Sequence, residues 1–516
     1  MTELLVLLAV VLPVAVGAVS WFAPARFAAR LAAAGLGPSL LAALALAVLV
    51  FASGPARAFG GLVVVDALGA YLLVLVAVVT AIALAGSPHH LAHEAAAGAL
   101  RPKDPGRYYA LLAWFAAGLL AVPLVDNLGL VWVAGEATTI VSALLVGFTR
   151  TPQAIEAAWK SLILGSIGIG FALLGTLLVY ASSVGALGET SDALSWSRLI
   201  AIAPRLDPAF VRLAFIFALA GYGTKAGLAP FHPWLPDAHS QAPSPISSML
   251  SGAALAVSLY ALARFHLVAM GTLGPEFSSR LLVLFGLLSL AVALPFIVAQ
   301  GDLKRLLAYS SIEHLGLATL ALGFGGPLAL LGLTVHLASH GLAKATAFLA
   351  AGGLVAGQGS RRIGRLAGSF GRTPADGGAL VVATLVLAGL PPSGIFVAEL
   401  AILFGGVARG WALAAGAAAL ILALAMAGLL FHVARLVVSP SGRSGRDAGL
   451  RVPTAAAAPG SGMEPGHAAR PSRRSTARLL LLAAPLAVVV IAGLWTPGPV
   501  RDALDQVVVV LGGGRG

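Results

Sequence analysis

The sequence predicts an all-α, polytopic membrane protein with about 14 transmembrane helices. Of the 516 residues, 59% are hydrophobic and 10% are charged, and the mean hydropathy is +0.96. Charged residues make up about a quarter of a typical soluble domain. A spanning helix needs about 20 predominantly apolar residues, and such segments recur along the chain, centred near residues 12, 40, 73, 117, 138, 171, 219, 256, 290, 314, 342, 392, 424 and 487.

The positive charge of the chain follows this predicted topology. The formal net charge is +12. Lys and Arg are concentrated in alternate connections between the apolar segments, for example at Arg26, Arg30, Arg101, Lys103 and Arg107. Because cytoplasmic loops carry such an excess, both termini are expected on the non-cytoplasmic side. The charge therefore requires no nucleic-acid partner.

The absence of cysteine limits the chemistry of this chain. Without thiolates, it can hold neither a Cys-ligated iron–sulfur cluster nor a Cys-type zinc site. The sequence also contains no P-loop, no HExxH and no nucleophile motif. No catalytic, cofactor or metal site is therefore assigned to it, and any redox centre is expected in a partner.

Four ionisable residues lie inside apolar segments. A charge near the bilayer centre costs roughly 2.5 to 3.5 kcal/mol on insertion scales, so it is retained where it pairs, lines water or has a function. These residues are expected to face the interior of the helix bundle, and they are Glu136, Lys225, Lys344 and Glu399.

Two of these charges adjoin helices interrupted by Gly and Pro. Lys225 precedes Gly227 and Pro230, and Glu399 follows Pro391 and Pro392. Interrupted helices in corresponding positions of two halves indicate a midplane ion site and inverted internal repeats.

A titratable stripe lies between the two interruptions. His336, His340 and Lys344 are spaced i, i+4, i+8 and so share one helix face, with roughly 6 Å between neighbours. Imidazole and a buried amine can both exchange protons near neutral pH, which favours a proton relay over two structural core histidines. Glu313 and His314 either extend this relay or pair with each other.

A second group of histidines gives a weaker signal. His89, His90, His93 and Glu94 have the residue types of a metal site, but we expect them in a polar connection. A solvated loop or a partner contact is the favoured interpretation.

Several stretches resemble a known family. GEATTIVSALLVGF, GTKAGLAPFHPWLPDAHSQAPSPISSML, GDLKRLLAYSSIEHLG, HLASHGLAKATAFLAAG and LAGLPPSGIFVAEL are similar to the antiporter-like proton-translocating membrane subunits of complex I, Mrp-type antiporters and group 4 hydrogenases. The similarity covers roughly residues 60 to 435 and is strongest to the hydrogenase-4 component F branch.

The resemblance implies a domain organisation. Residues 1–106 would hold helices 1–3, residues 107–270 a first repeat (helices 4–8), and residues 271–438 a second, inverted repeat (helices 9–13), with helices 7 and 12 broken. The composition of residues 439–477, rich in Pro, Gly, Ser, Ala and Arg, predicts a disordered cytoplasmic linker. Residues 478–516 would form helix 14 and a tail.

The resemblance also assigns roles to residues. Glu136 and Lys225 would form the pair that gates proton uptake, His336, His340 and Lys344 the central relay, and Glu399 the exit. Lys304, Glu313 and His314 are further candidates. Ser251 stands where some relatives have a histidine, and it can still hold a bridging water.

These features predict a non-catalytic, proton-translocating subunit of a redox-driven complex in a prokaryotic inner membrane. Its expected partners are other antiporter-like and small membrane subunits, soluble cytoplasmic redox subunits and the lipid bilayer. Iron–sulfur clusters, and a nickel–iron centre in a hydrogenase, would sit in those partners. The alternatives are a subunit of a Na⁺(K⁺)/H⁺ antiporter and the membrane subunit of a CO₂ or bicarbonate uptake system with a soluble zinc protein.

Overall fold

The protein is a bundle of long helices. The computed structural model describes residues 1–366, 373–438 and 473–513. Within these ranges, 12 helices are long and apolar enough to span a membrane, and two further apolar helices, Pro374–Leu387 and Gly394–Ala408, are shorter. The predicted all-α membrane class is confirmed, whereas the count of 14 and the two repeats stay predictions.

The N-terminal third combines long helices with one small hairpin. Strands β1 (Ala56–Ala58) and β2 (Val63–Val65) pair antiparallel, with Arg57 opposite Val64. Its helices are α1 (Thr2–Phe22), α2 (Ala25–Ser53), α3 (Ala67–Ala96), α4 (Asp104–Ala121) and α5 (Leu128–Val146).

The middle of the chain contains the first broken helix. A long helix precedes it, and a buried helix with a π-helical turn at Leu250–Ala254 follows it. The helices are α6 (Pro152–Leu187), α7 (Trp196–Ile202), α8 (Pro208–Ala226), α9 (Trp234–Gln241), α10 (Ser244–Met249) and α11 (Leu255–Leu273).

The last part contains the second broken helix and an amphipathic C-terminal helix. Its helices are α12 (Pro275–Ala299), α13 (Leu303–Phe324), α14 (Gly326–Gln358), α15 (Ile363–Leu366), α16 (Pro374–Leu387), α17 (Gly394–Ala408), α18 (Ala412–Val438), α19 (Arg473–Leu494) and α20 (Gly498–Leu511). The predicted linker at 439–477 lies outside the described residues as far as residue 472, and helix α19 begins at Arg473.

The centre of the bundle is formed by Ser244–Leu273, α13 and α14. Every residue in the 18-residue apolar stretch of Ser244–Leu273 is buried, and 94% of the corresponding residues in α13 are buried. Small residues allow the helices to approach closely. A Cβ on Gly252 would lie 2.8 Å from the Gly341 carbonyl oxygen, and a Cβ on Gly168 would lie 2.6 Å from Cβ of Thr224. These contacts bring the polar residues of different helices together.

The two helix breaks have the same local geometry. Gly227 ends α8 and Gly389 follows α16, each in the left-handed region with φ of 76° and 69°. The following residue donates its backbone N–H five residues back, Leu228 to Gly223 and Leu390 to Leu385, which is the Schellman arrangement. Cis peptide bonds then precede Pro230 and Pro392. Both predicted interruptions are therefore present.

One expectation about secondary structure was wrong. His89, His90, His93 and Glu94 lie in the last two turns of α3, not in a polar connection. Pro88 stands within the helix, and the apolar spacing ends before it, so the pattern did not show that the helix continues. Ring nitrogen Nε2 of His93 lies 2.9 Å from the Ala356 carbonyl oxygen of α14, which ties this end of α3 to the bundle.

Candidate functional site

Glu136 and Lys225 approach each other across α5 and α8. Lys225 is in the last turn of α8, where a cation is favoured by the helix dipole, and its Nζ donates to Thr139 Oγ1 at 2.6 Å. Glu136, one turn before Thr139 on α5, accepts from Ser166 Oγ at 2.8 Å. Both side chains are described, and no direct ion pair joins them. Lys225 thus binds a hydroxyl on the same helix as Glu136 rather than the carboxylate itself.

The break after Lys225 is held by side chains. The indole Nε1 of Trp234 donates to the Thr224 carbonyl oxygen at 2.9 Å, and the backbone N–H of Ala229 donates to Ser289 Oγ at 2.9 Å. Backbone groups released at membrane depth need such partners. These hydrogen bonds hold the broken helix in place and so fix the position of Lys225.

Lys344 is completely buried in the centre of the bundle. Its Nζ donates to the Leu307 carbonyl oxygen at 2.7 Å and to the Ser310 hydroxyl, both on α13. In the described part of the chain no carboxylate lies within ion-pair distance of Lys344. A buried ammonium that meets only neutral acceptors pays a large desolvation penalty.

Three histidines form a compact cluster beside Lys344. His336 and His340 stack on α14 with ring centroids 6.3 Å apart, as the spacing predicts. His314 of α13 lies 5.1 Å from each ring, and its Nδ1 is 3.3 Å from Nε2 of His336. His314 therefore joins the stripe rather than pairing with Glu313.

Glu313 and Glu399 lie on facing helices, α13 and α17, close enough for their charges to repel. Oε2 of Glu313 is buried and has no hydrogen-bond partner among the described residues. Glu399 lies against the second helix break, because a Cβ on Gly389 would overlap its carboxylate. Two carboxylates thus stand beyond the histidine cluster, on the side of the second broken helix.

Ser251 lies in the π-helical turn, and its hydroxyl is 2.8 Å from that of Ser311 on α13. The adjacent Ser310 binds Lys344. The π-helix is rare and is often found at functional sites. Ser251 therefore binds the residue next to the serine that contacts the lysine. No hydrogen bond between described residues connects Ser251 to Lys225.

Lys304 lies at the start of α13, and its Nζ donates to the Ala242 carbonyl oxygen at 2.6 Å. Ala242 is the C-cap of α9, the second half of the broken helix. Lys304 thus satisfies the negative end of that half-helix. It joins this half-helix to the central helix α13.

His239 was not predicted as a functional residue from the sequence. This residue lies on α9 and is fully buried, and its ring stacks on Phe348 of α14 with centroids 5.0 Å apart. Neither of its ring nitrogens has a hydrogen-bond partner among the described residues. The half-helix α9 is too short for its apolar residues to show a helical periodicity. The position of the histidine in WLPDAHSQ, beside a helix break, would have been enough to identify it as a candidate.

No group of three or more His, Asp or Glu side chains in residues 1–366, 373–438 and 473–513 is placed to hold a metal ion. The arrangement is instead a set of proton-exchanging side chains interleaved with hydroxyl groups. Side chains of these types can bind and release protons, so the arrangement has the chemistry that a proton relay requires.

Residues 125–425 match the family described as NADH:quinone oxidoreductase/Mrp antiporter, TM. The chain belongs to this family. The match spans both helix breaks and all six residues of the predicted relay. Membership confirms the predicted antiporter-like, proton-translocating membrane subunit of complex I-like assemblies at the level of the family.

Two curated relatives agree with this membership, and one solved structure shares the fold. The chain is 40% identical over 329 residues to a hydrogenase-4 component F homolog of Methylacidiphilum infernorum, covering 64% of this chain and 69% of the relative. It is 33% identical over 362 residues to NADH-quinone oxidoreductase subunit N of Desulforudis audaxviator, covering 70% and 69%. A subunit of an archaeal membrane-bound sulfane sulfur reductase shares the fold, with a TM-score of 0.81, 22% identity, and coverage of 98% and 97%.

Proposed function

We propose that this family member moves protons through its own helices as part of a redox-driven complex of the hydrogenase-4, formate hydrogenlyase or complex I kind. The observation that carries the proposal is Lys344, a fully buried amine with only neutral acceptors. Because burying a charge in the bundle centre costs free energy, we infer that this lysine has a function. An amine that alternates between charged and neutral forms is suited to passing protons.

The proposed path uses the six residues of the predicted relay. Glu136 and Lys225 form the first station, with the hydroxyl of Thr139 bound to the lysine. His336, His340 and Lys344 form the central station, to which Ser251, Glu313 and His314 contribute. Glu399 at the second break is the exit. Water molecules would join stations that make no direct hydrogen bond.

The driving event in this proposal is electrostatic. A charge change in a neighbouring subunit alters the interaction of Glu136 with Lys225, which changes the proton affinity of the lysine. A change of one pKa unit corresponds to about 1.4 kcal/mol. The free energy therefore passes between subunits without any redox group in this chain.

The partners follow from the same proposal. Other antiporter-like and small membrane subunits would cover part of the exposed apolar helix faces, and lipid the rest. Soluble redox subunits on the cytoplasmic side would carry iron–sulfur clusters, with nickel and iron in a hydrogenase. Both termini would lie on the non-cytoplasmic side of a prokaryotic cell membrane.

A Na⁺(K⁺)/H⁺ antiporter subunit is the second candidate, because the family description includes Mrp antiporters. The two candidates differ in what drives the proton. To test this, we would purify the chain gently with its partners, measure nickel, iron and zinc, and assay proton movement in reconstituted vesicles.

The outcomes separate the candidates. Iron-containing partners and donor-dependent proton movement would support the redox proposal. Proton movement driven by Na⁺ or K⁺ without an electron donor would replace it with the antiporter. A zinc protein as the sole soluble partner would replace it with carbon uptake.

Replacing Ser251 is expected to have a moderate effect on proton translocation. We expect Ser251→Ala to lower the rate of proton translocation roughly fivefold, because the lost hydrogen bond to Ser311 contributes about 1 kcal/mol. The rate is measured by a pH-sensitive dye in vesicles that contain the complex. Ser258→Ala is the matched control, since that hydroxyl binds only the Ala254 carbonyl oxygen of its own helix. Equal rates in Ser251→Ala and Ser258→Ala would remove Ser251 from the path.

A further inference from the structure

The last two turns of α3 present three histidines and one glutamate at an end of the bundle. His89 and His93, spaced i, i+4, are exposed, whereas His90 and Glu94 are partly buried. The connection that follows α3 carries Arg101 and Lys103, which predicts that this end is cytoplasmic. The predicted relay does not use any of these four residues.

A cavity opens between this end of α3 and helices α10, α14 and α19. Its lining includes His89, His90, His93, Ser244, Gly352 and Arg478. A Cβ on Gly352 would overlap the Ser244 side chain, so the glycine lets α10 and α14 approach closely beside the cavity. All three histidines contact one shared space rather than three separate surfaces.

Arg478 borders this cavity in a fixed orientation. It donates to Asp376 Oδ1 at 2.6 Å and to the Leu349 carbonyl oxygen at 2.9 Å. Because its charge is matched by Asp376, the arginine closes one side of the cavity without adding net charge. The three histidines are left as the side chains of this cavity whose ring nitrogens can accept or donate a proton.

Lys304 interacts electrostatically with residues at this end of α3. His90 and Glu94, one turn apart on α3, lie close enough to Lys304 for their charges to interact. Lys304 in turn acts on His239. His239 lies on α9 shortly before Ala242, whose carbonyl oxygen accepts the hydrogen bond from Lys304 Nζ. A titratable side chain is therefore present at each step from the cavity into the bundle.

His239 lies next to the centre of the bundle. Its ring stacks on Phe348, one helical turn after Lys344 on α14, and the charge of Lys344 also reaches it. A fully buried imidazole with two unpartnered nitrogens needs water or a proton partner. Lys304 and Lys344 are the two neighbours with which His239 would exchange a proton.

We propose that His89, His90, His93 and Glu94 form the cytoplasmic proton inlet of this subunit, and that protons pass from His90 through Lys304 and His239 to Lys344. This inference rests on the proposed proton translocation and gives Lys344 its own cytoplasmic entry, while the pair of Glu136 and Lys225 remains the electrostatic trigger that translocation requires. In each step a ring nitrogen or amine binds a proton on one side and releases it on the other, returning to its starting form.

The test is the His90→Ala variant of the intact complex in vesicles whose cytoplasmic face points outward. We expect the initial rate of proton uptake to fall roughly tenfold at low buffer concentration, because a positioned proton acceptor is lost. Imidazole added outside is expected to restore most of that rate by entering the space left by the side chain. A purely structural role of His90 would not be rescued by a soluble base.

The control and the opposing outcomes keep this inference separate from the proposed function. His432→Gln retains a donor toward the Ile297 carbonyl oxygen and is expected to keep the normal rate. Normal uptake in His90→Ala, in a complex where Lys225→Met is inactive, would overturn the inlet and leave the proposed function intact. A tenfold loss without rescue by imidazole would also overturn the inlet. Normal uptake in both variants would overturn both proposals.

Discussion

Replacing Lys225 with methionine is expected to abolish proton translocation while the complex still assembles. Methionine has a similar length and is apolar, so it fills the same space at the helix break. It cannot carry a proton, and it cannot donate to Thr139 as Lys225 does at 2.6 Å. The initial rate of acidification or alkalinisation in vesicles is expected to fall by at least about a hundredfold.

Two further variants sharpen this result. Lys225→Arg keeps the positive charge but does not release its proton at physiological pH, so it is expected to be as inactive as the methionine variant. Lys103→Met removes an exposed lysine in the connection after α3 and is expected to behave as wild type. Full pumping by assembled Lys225→Met would contradict the proposed mechanism, and full pumping by Lys225→Arg would exclude deprotonation of this residue.

The second large effect is expected on stability, at the ion pair between Asp66 and Arg264. Asp66 precedes α3 and caps it by accepting from the Gly69 backbone N–H at 2.9 Å. Arg264 of α11 binds both carboxylate oxygens, at 2.8 and 2.6 Å. Its guanidinium also lies 3.7 Å from the ring centroid of Trp196. The pair thus joins three distant parts of the chain.

Asp66→Asn is expected to destabilise the folded protein by about 3 to 5 kcal/mol, because it leaves the guanidinium of Arg264 buried without a counter-charge. The measurement is the thermal unfolding midpoint of the purified complex in detergent, together with the yield of assembled complex. Both are expected to fall.

The exposed pair of Arg280 and Glu276 is the matched control. Their side chains are 70% and 77% exposed, so Arg280→Ala is expected to change stability by no more than about 1 kcal/mol. The double variant Asp66→Asn with Arg264→Met should recover part of the loss, because no uncompensated charge remains. A midpoint unchanged in Asp66→Asn would show that the pair does not hold the fold together.

Much of the candidate site was predictable from the local pattern. The i, i+4, i+8 spacing placed His336, His340 and Lys344 on one face, and the observed stacking of the two rings follows from helix geometry alone. Gly and Pro beside Lys225 and Glu399 likewise indicated the two breaks. These predictions succeeded because helical periodicity and helix-breaking residues act within a few residues of the chain.

Other parts of the site were not predictable in this way. His239 and Lys304 meet only because α9 ends against the start of α13, and nothing in either segment specifies the other. His314 joins His336 rather than Glu313 for the same reason, since the choice is made by the packing of α13 against α14. Pro88 concealed the continuation of α3, so the histidines near its end were placed in a connection.

The sequence by itself determined the membrane class, the helical breaks and the buried charges, because each depends on the free energy of transferring one segment or side chain from water to an apolar surrounding. The tertiary structure alone decided which of these charges meet. It placed Thr139 against Lys225 and Ser166 against Glu136, Ser310 beside Lys344, and the α3 histidines on a common cavity with α14. Such contacts join residues far apart in the chain, and they exist only when small residues at the helix crossings let the helices pack closely.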